Sequence, residues 1–143
     1  MEKRNQDRMP DFAFRMMSAT FALKDLFFPS VAKRAASFGI REGITVVDYG
    51  CGPGRYTIQF AKLVGPQGKV FAVDVQALAI EYVDRKMKAQ GLRNFVPVVA
   101  NGYETEIPDH SADTVFALDM FFGVSDPVAL LREITGSRGQ MVC

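Results

Sequence analysis

Residues 46–56 read Val-Val-Asp-Tyr-Gly-Cys-Gly-Pro-Gly-Arg-Tyr, a β-branched run that stops at a carboxylate and then turns through glycines 50, 52 and 54. A strand that ends this way and feeds a helix brings bare backbone against a ligand, because a Cβ would collide or forbid the angles needed. A second apolar run, Val70-Phe71-Ala72-Val73, ends at another carboxylate, Asp74. Two acids at two strand ends around one glycine turn leave few folds open. Most of the functional reading starts there.

Around that turn, strands and helices alternate. Short β-branched runs fall at 44–49, 69–74, 94–100 and 112–118, and Gln140 begins a fifth. Pro97 within the third points to an edge strand. Helical spacing fills the gaps: from the glycine turn, with Pro53 near the first helical turn, to about 64; from 76 to 90, ended by Gly91; and from 127 to 135, capped by Asp126. The segment 101–111 reads as loop. Such alternation predicts βαβ units and a doubly wound parallel α/β sheet. Glu81 precedes Arg85 and Asp84 precedes Lys88 at i,i+4, so the Arg85-Lys86-Lys88 cluster reads as a solvated face.

Ahead of the sheet, residues 1–10 read as a polar terminus. Residues 11–28 have a helical pattern with Met16, Leu23 and Phe27 near one face, and 30–38 form a second helix behind Pro29. That Phe- and Met-rich face is expected to pack on the core. A mobile lid over a ligand is the functional alternative, and little favours membrane-surface binding. The division is a helical segment at 1–43 and an α/β domain at 44–143.

Composition removes other classes. The chain has 143 residues, 48% hydrophobic and 23% charged, which suits one soluble domain with a true core. Seventeen basic against sixteen acidic residues give no basic stripe for nucleic acid. Cys51 and Cys143 are far apart, so no disulfide is expected, and with a single histidine they offer no closed metal set. Arg15, Lys24 and Asp25 break the N-terminal apolar stretch, which excludes a signal peptide or a spanning helix there. The cytoplasm is the expected compartment.

The ligand follows from the two acids. A dinucleotide fingerprint would place its third glycine at position 55, where this chain has Arg55. Asp48 would repel a pyrophosphate and attract an ammonium or sulfonium. Asp74 lies twenty positions beyond Gly54, where an acid takes both ribose hydroxyls. A phosphate-binding P-loop is excluded because no Gly-Lys-Ser/Thr follows. S-adenosylmethionine has the ribose and the cationic amino-acid tail that fit both acids.

Here the chain resembles the class I S-adenosylmethionine-dependent methyltransferases, in the small-molecule branch with a ubiquinone-biosynthesis-like domain. The resemblance covers roughly 44–142. Val-Val-Asp-Tyr-Gly-Cys-Gly-Pro-Gly at 46–54 matches the family's first motif and Val-Phe-Ala-Val-Asp at 70–74 its second. Ile107-Pro108-Asp109-His110-Ser111-Ala112-Asp113 is similar to the family's Leu-Pro-Phe-x-Asp-x-Ser-Phe-Asp segment, shortened. Asp126-Pro127-Val128-Ala129-Leu130-Leu131-Arg132-Glu133-Ile134 is similar to its Asp-Pro-x-x-Ala-Leu-Arg-Glu-Ile helix. The resemblance implies that Gly50, Cys51, Gly52 and Gly54 line the methionine part of the cofactor, and that Asp48 reaches its ammonium, directly or through water. It implies Asp74 on the ribose, Val75 and Gln76 beside the adenine, Asn101 and Gly102 at the adenine amino group, and Leu118 beneath the cofactor. Asn101 stands where the family usually has Asp; its oxygen accepts the same hydrogen bond without the charge.

The same resemblance implies a Leu-Lys-Pro-Gly-Gly before the fifth strand, where this chain has Thr135-Gly136-Ser137-Arg138-Gly139. It also implies a further helix and two strands after Gln140-Met141-Val142-Cys143. Without them the fifth strand is an apolar edge with unpaired backbone groups, open to pairing with another chain. Three accounts stay open: a truncated or frameshifted methyltransferase, a minimal domain completed by self-association or a partner, or a remnant that only binds the cofactor without turnover. A nicotinamide oxidoreductase is the remaining rival, and Arg55 opposes it.

Methyl transfer needs chiefly that a small-molecule acceptor be held in line with the methyl group. If the acceptor carries a proton, Asp119 at the end of the fourth strand is the candidate base. Asp119-Met120-Phe121-Phe122 matches the Asn/Asp-Pro-Pro-Tyr/Phe motif of amide and adenine methylases only at its ends. His110 reads as a loop residue. Tyr56 is placed to face the cofactor tail or the acceptor, and Cys51 is a small turn residue rather than a nucleophile.

Overall fold

The computed structural model describes residues 7–120, 123–136 and 140–142. Phe121, Phe122, residues 1–6 and 137–139, and Cys143 fall outside the described residues. In chain order the elements are α1 (Asp11–Phe27), α2 (Ser30–Ala36), β1 (Thr45–Tyr49), α3 (Arg55–Val64), β2 (Lys69–Asp74), α4 (Ala77–Ala89), β3 (Phe95–Val99), β4 (Thr114–Phe116), α5 (Pro127–Gly136) and β5 (Gln140–Val142). The strands form one sheet in the order β3-β2-β1-β4-β5, with every pairing parallel. The chain winds outward from β1 to β3, then returns to place β4 on the other side of β1. That reversal opens a crevice at the carboxyl ends of β1 and β4, where ligands bind in open α/β sheets.

Alternation along the strands builds two core layers. Val46, Val70, Ala72 and Phe116 face α2, α3 and α4 and pack with Phe60, Val83 and Met87. Val47, Tyr49, Val73, Val115 and Ala117 face the other way and pack with Leu130 and Ile134 of α5. A sheet buried on both faces explains why its strands read as continuous β-branched runs. Pro97 lies in β3, the edge strand, as its missing N–H requires. Asp126 caps α5, its Oδ1 accepting the Ala129 N–H at 3.0 Å.

Several details differ from the sequence reading. Helix α1 buries Phe14 and Ser18, not Met16, Leu23 and Phe27, which all point to solvent. A helix with two apolar stripes carries no sequence signal for which one the core will take. Helix α3 starts at Arg55, so Pro53 sits in the turn rather than in the helix. Strand β4 spans three residues, Thr114–Phe116. Arg85 lies over the Tyr82 ring at 4.8 Å, and Lys86 leaves the solvated face to donate to the Pro53 carbonyl at 2.8 Å.

Candidate functional site

The glycine turn is closed by backbone. The N–H groups of Gly50 and Cys51 both donate to the Val73 carbonyl, at 2.8 and 2.9 Å, and Gly54 N–H donates to the Cys51 carbonyl at 3.0 Å. This bends the chain from β1 across β2 and into α3. Gly54 enters the helix at φ 82°, and a Cβ there would lie 2.9 Å from Val83 Cγ2 on α4. Glycine at 54 therefore serves close packing between α3 and α4. Gly52 differs: it has φ 52° and open space where a side chain would go. Its bare face is left for a ligand.

Asp74 is fixed by backbone. Its Oδ2 accepts the Gly52 N–H at 2.8 Å and its Oδ1 the Gln76 N–H at 2.9 Å. A carboxylate has about four acceptor sites, so each oxygen keeps one for a further donor. Burial raises its pKa, and the backbone N–H groups of Gln76, Gly52 and Val75 oppose that rise. One more pair of hydroxyl donors would stabilise the charged form.

Asp48, the next-to-last residue of β1, is almost fully buried and accepts the Thr57 hydroxyl at 2.6 Å. Burial pushes its pKa up to about 7; the Thr57 hydrogen bond lowers it and the nearby Asp74 charge raises it further. No cationic side chain among the described residues pairs with it. A nearby cation would favour its charged form. The Cys51 thiol is also raised by burial and by the two acids, so it stays protonated and is no nucleophile at neutral pH.

These groups open onto a cavity of about 490 Å³ lined by both acids, by Gly50, Cys51, Gly52, Tyr56, Val75, Gln76 and Leu118, and by Asp119 at its rim. Of the residues singled out from sequence, Gly54, Asn101 and Gly102 stay outside its lining. Asn101 exchanges backbone hydrogen bonds with Glu104, at 3.0 and 3.3 Å, in a tight turn through Gly102. That turn presents Tyr103 to the cavity instead. Asp119 adopts φ 55°, and its side chain is 60% exposed beside Arg34 Nη1 at 3.5 Å. His110 sits in the exposed turn before β4, away from the cavity.

Sequence reasoning raised a helix over the ligand as an alternative but missed which of its residues face the cavity. Phe14, Met17 and Phe21 of α1 cover the cavity, and their i, i+3, i+7 spacing was the available signal. Three polar contacts hold α1 and the residues just ahead of it. Arg55 makes a two-pronged ion pair with Asp25 at 2.7 and 2.6 Å, its guanidinium stacked 4.4 Å from the Phe21 ring. Gln76 Nε2 donates to Asp11 at 2.8 Å, and the Tyr103 hydroxyl donates to Asp7 at 2.6 Å. The Tyr49 hydroxyl donates to the Tyr103 carbonyl, and burial raises its pKa. Arg55 was read from sequence only as the residue that spoils a dinucleotide motif.

Comparison with known proteins agrees with this geometry. Residues 46–137 match the family model described as a methyltransferase domain. The chain is 32% identical over 107 residues to the demethylmenaquinone methyltransferase of Geobacillus stearothermophilus, covering 73% of this chain and 46% of that protein. It is 33% identical over 97 residues to the ubiquinone/menaquinone biosynthesis C-methyltransferase of Hahella chejuensis, covering 67% and 39%. The chain thus spans about half the length, or less, of these curated relatives. Among solved structures, a SAM-dependent methyltransferase from Aquifex aeolicus superposes with TM-score 0.78 at 30% identity, over 92% of this chain and 69% of that one. A glycine turn between two acids, the β1/β4 crevice and a family match over most of the sheet converge: the chain belongs to the methyltransferase domain family.

Proposed function

We propose that this chain binds S-adenosylmethionine in the β1/β4 crevice and serves transfer of its methyl group to a small, flat, apolar acceptor. The observation that carries the reading is Asp74, held by two backbone N–H groups with its remaining acceptor sites beside the bare face of Gly52. Asp74 would take the ribose hydroxyls, Asp48 the ammonium, and Val75 and Gln76 the edge of the adenine. S-adenosylmethionine supplies a methyl group already activated by its sulfonium.

The protein's task is then positioning and exclusion of water, which together supply roughly 7–11 kcal/mol in well-oriented reactions. Phe14, Met17 and Phe21 from α1, with Met120 and Val124 across the cavity, offer an apolar slot for a ring. The relatives named for demethylmenaquinone and ubiquinone biosynthesis support a quinone-type acceptor. Asp119 at the rim is the base candidate for an acceptor that carries a proton. Helix α1 serves as a lid over the 44–143 unit, latched through Asp25 and Arg55.

Titration calorimetry with S-adenosylmethionine and S-adenosylhomocysteine, with NADH as control, tests the reading. Micromolar binding that Asp74→Ala weakens about a hundredfold is expected, since two charge-assisted ribose hydrogen bonds are lost. NADH binding tighter than S-adenosylmethionine, or no change in Asp74→Ala, would overturn it.

A further inference from the structure

The lid helix has a second apolar face that the cavity does not use. Phe12, Met16, Leu23, Leu26 and Phe27 follow one another around the outer side of α1 and are each 55–76% exposed. At 3.6 residues per turn they form a continuous stripe, opposite Phe14, Met17 and Phe21. Phe28 extends it beyond the helix end at 68% exposure. An apolar stripe of this size on a surface helix marks a binding face.

The charges around the stripe select its occupant. Arg15 borders it on one side, and on the other Lys24 lies between the stripe and the inner face, where it also lines the cavity edge; both are exposed, as is Lys33 on α2. Both acids of α1 are engaged: Asp25 is held by Arg55 near the cavity, and Asp11 accepts from Gln76 and lies 3.4 Å from Arg8. Glu81 sits with Arg85 and Arg15 along a cleft against α4, so that flank stays basic on balance. A two-fold pairing of stripes would set basic flank against basic flank, and both acids of α1 already have partners within the chain. Bulky apolar side chains edged by cations match the boundary of an anionic bilayer.

We infer that the outer face of α1, through Phe12, Met16, Leu23, Leu26 and Phe27 with Arg15 and Lys24, docks this protein on the surface of anionic lipid membranes. The helix lies in the plane of the interface, its apolar side chains among acyl chains and its cations at headgroups. Its inner face still roofs the cavity, so the cavity mouth is held at the lipid boundary. The inference goes beyond the methyl-transfer reading and does not depend on it.

Flotation of the full chain with phosphatidylcholine vesicles, with and without phosphatidylglycerol, tests it. Flotation only with phosphatidylglycerol, weakening as salt rises, is the expected result. Leu23→Ser with Phe27→Ser, both at exposed positions and checked by circular dichroism, should lower partitioning by at least about tenfold. Arg15→Gln with Lys24→Gln should remove the preference for the anionic lipid. No flotation at low salt overturns the inference. So does a dimer in light scattering that Leu23→Ser with Phe27→Ser converts to monomer, for the stripe then belongs to a second copy. An S-adenosylmethionine titration on the Leu23/Phe27 variant keeps the two readings apart. That variant should keep wild-type cofactor affinity while losing flotation; a wild-type chain that binds cofactor but does not float removes only the membrane inference, and one that floats but binds no cofactor removes only the methyl-transfer reading.

Discussion

Asp48 is a carboxylate that folding places where its charge is costly. Burial raises it from 3.8 to about 7, so the folded chain holds this proton more tightly than the unfolded chain does. The sign follows: its penalty to stability is nil below about pH 4, grows from there to about pH 7, and is complete above. Asp48→Asn keeps an acceptor for Thr57 and is expected to stabilise the ligand-free protein by roughly 2–4 kcal/mol near pH 8. Urea unfolding against pH would show that gain vanishing near pH 4. The same variant should bind S-adenosylmethionine at least about tenfold more weakly, and wild-type affinity should fall as pH drops through about 7. Asp119 differs, being exposed and left-handed in backbone, a conformation Asn also tolerates. Asp119→Asn should lower kcat by about a hundredfold for an acceptor that must lose a proton, with cofactor affinity within about twofold. A kcat that does not change assigns Asp119 only its ion pair with Arg34.

At the scale of elements, α1 is the piece whose attachment is most specific. Its inner face rests on Phe14 packed edge-on to Tyr82 at 5.4 Å and on the Arg55–Asp25 pair, whose side chains are 17% and 29% exposed. Such a shielded, two-pronged pair is worth more than a surface contact. Asp25→Asn is expected to speed amide exchange throughout α1 by about tenfold, roughly 1–2 kcal/mol of local opening, while β1 and β2 exchange as before. Hydrogen-exchange mass spectrometry separates this from general destabilisation. The helix itself was legible in the sequence, as were α3, α4 and α5, because each has a period and a stop signal. Its inward face was not, because Phe14-Met17-Phe21 and Met16-Leu23-Phe27 are equally regular stripes. Lys86 was misread for a related reason. Its neighbours Asp84 and Lys88 do pair on the solvent side at 2.7 Å, but only the fold brings the Pro53 carbonyl within its reach.

Across the whole molecule, the cavity draws walls from α1, β1, β2, the start of α3 and the segment after β4, so a ligand there ties α1 to both halves of the sheet. S-adenosylmethionine at about a hundred times its dissociation constant should add about 2.7 kcal/mol, raising Tm by roughly 5–10 °C in differential scanning fluorimetry. The Asp74→Ala variant should show no such rise. The sequence by itself determined the α/β class, the parallel strands, the glycine turn and the two acids, because periodicity and residue type carry those locally. Tertiary structure decided the rest. It chose which stripe of α1 faces inward, put Tyr103 rather than Asn101 at the cavity, and set Arg55 against Asp25. The physical reason is that these outcomes depend on groups far apart in the chain, and no local pattern encodes which of several chemically suitable partners packing will bring together.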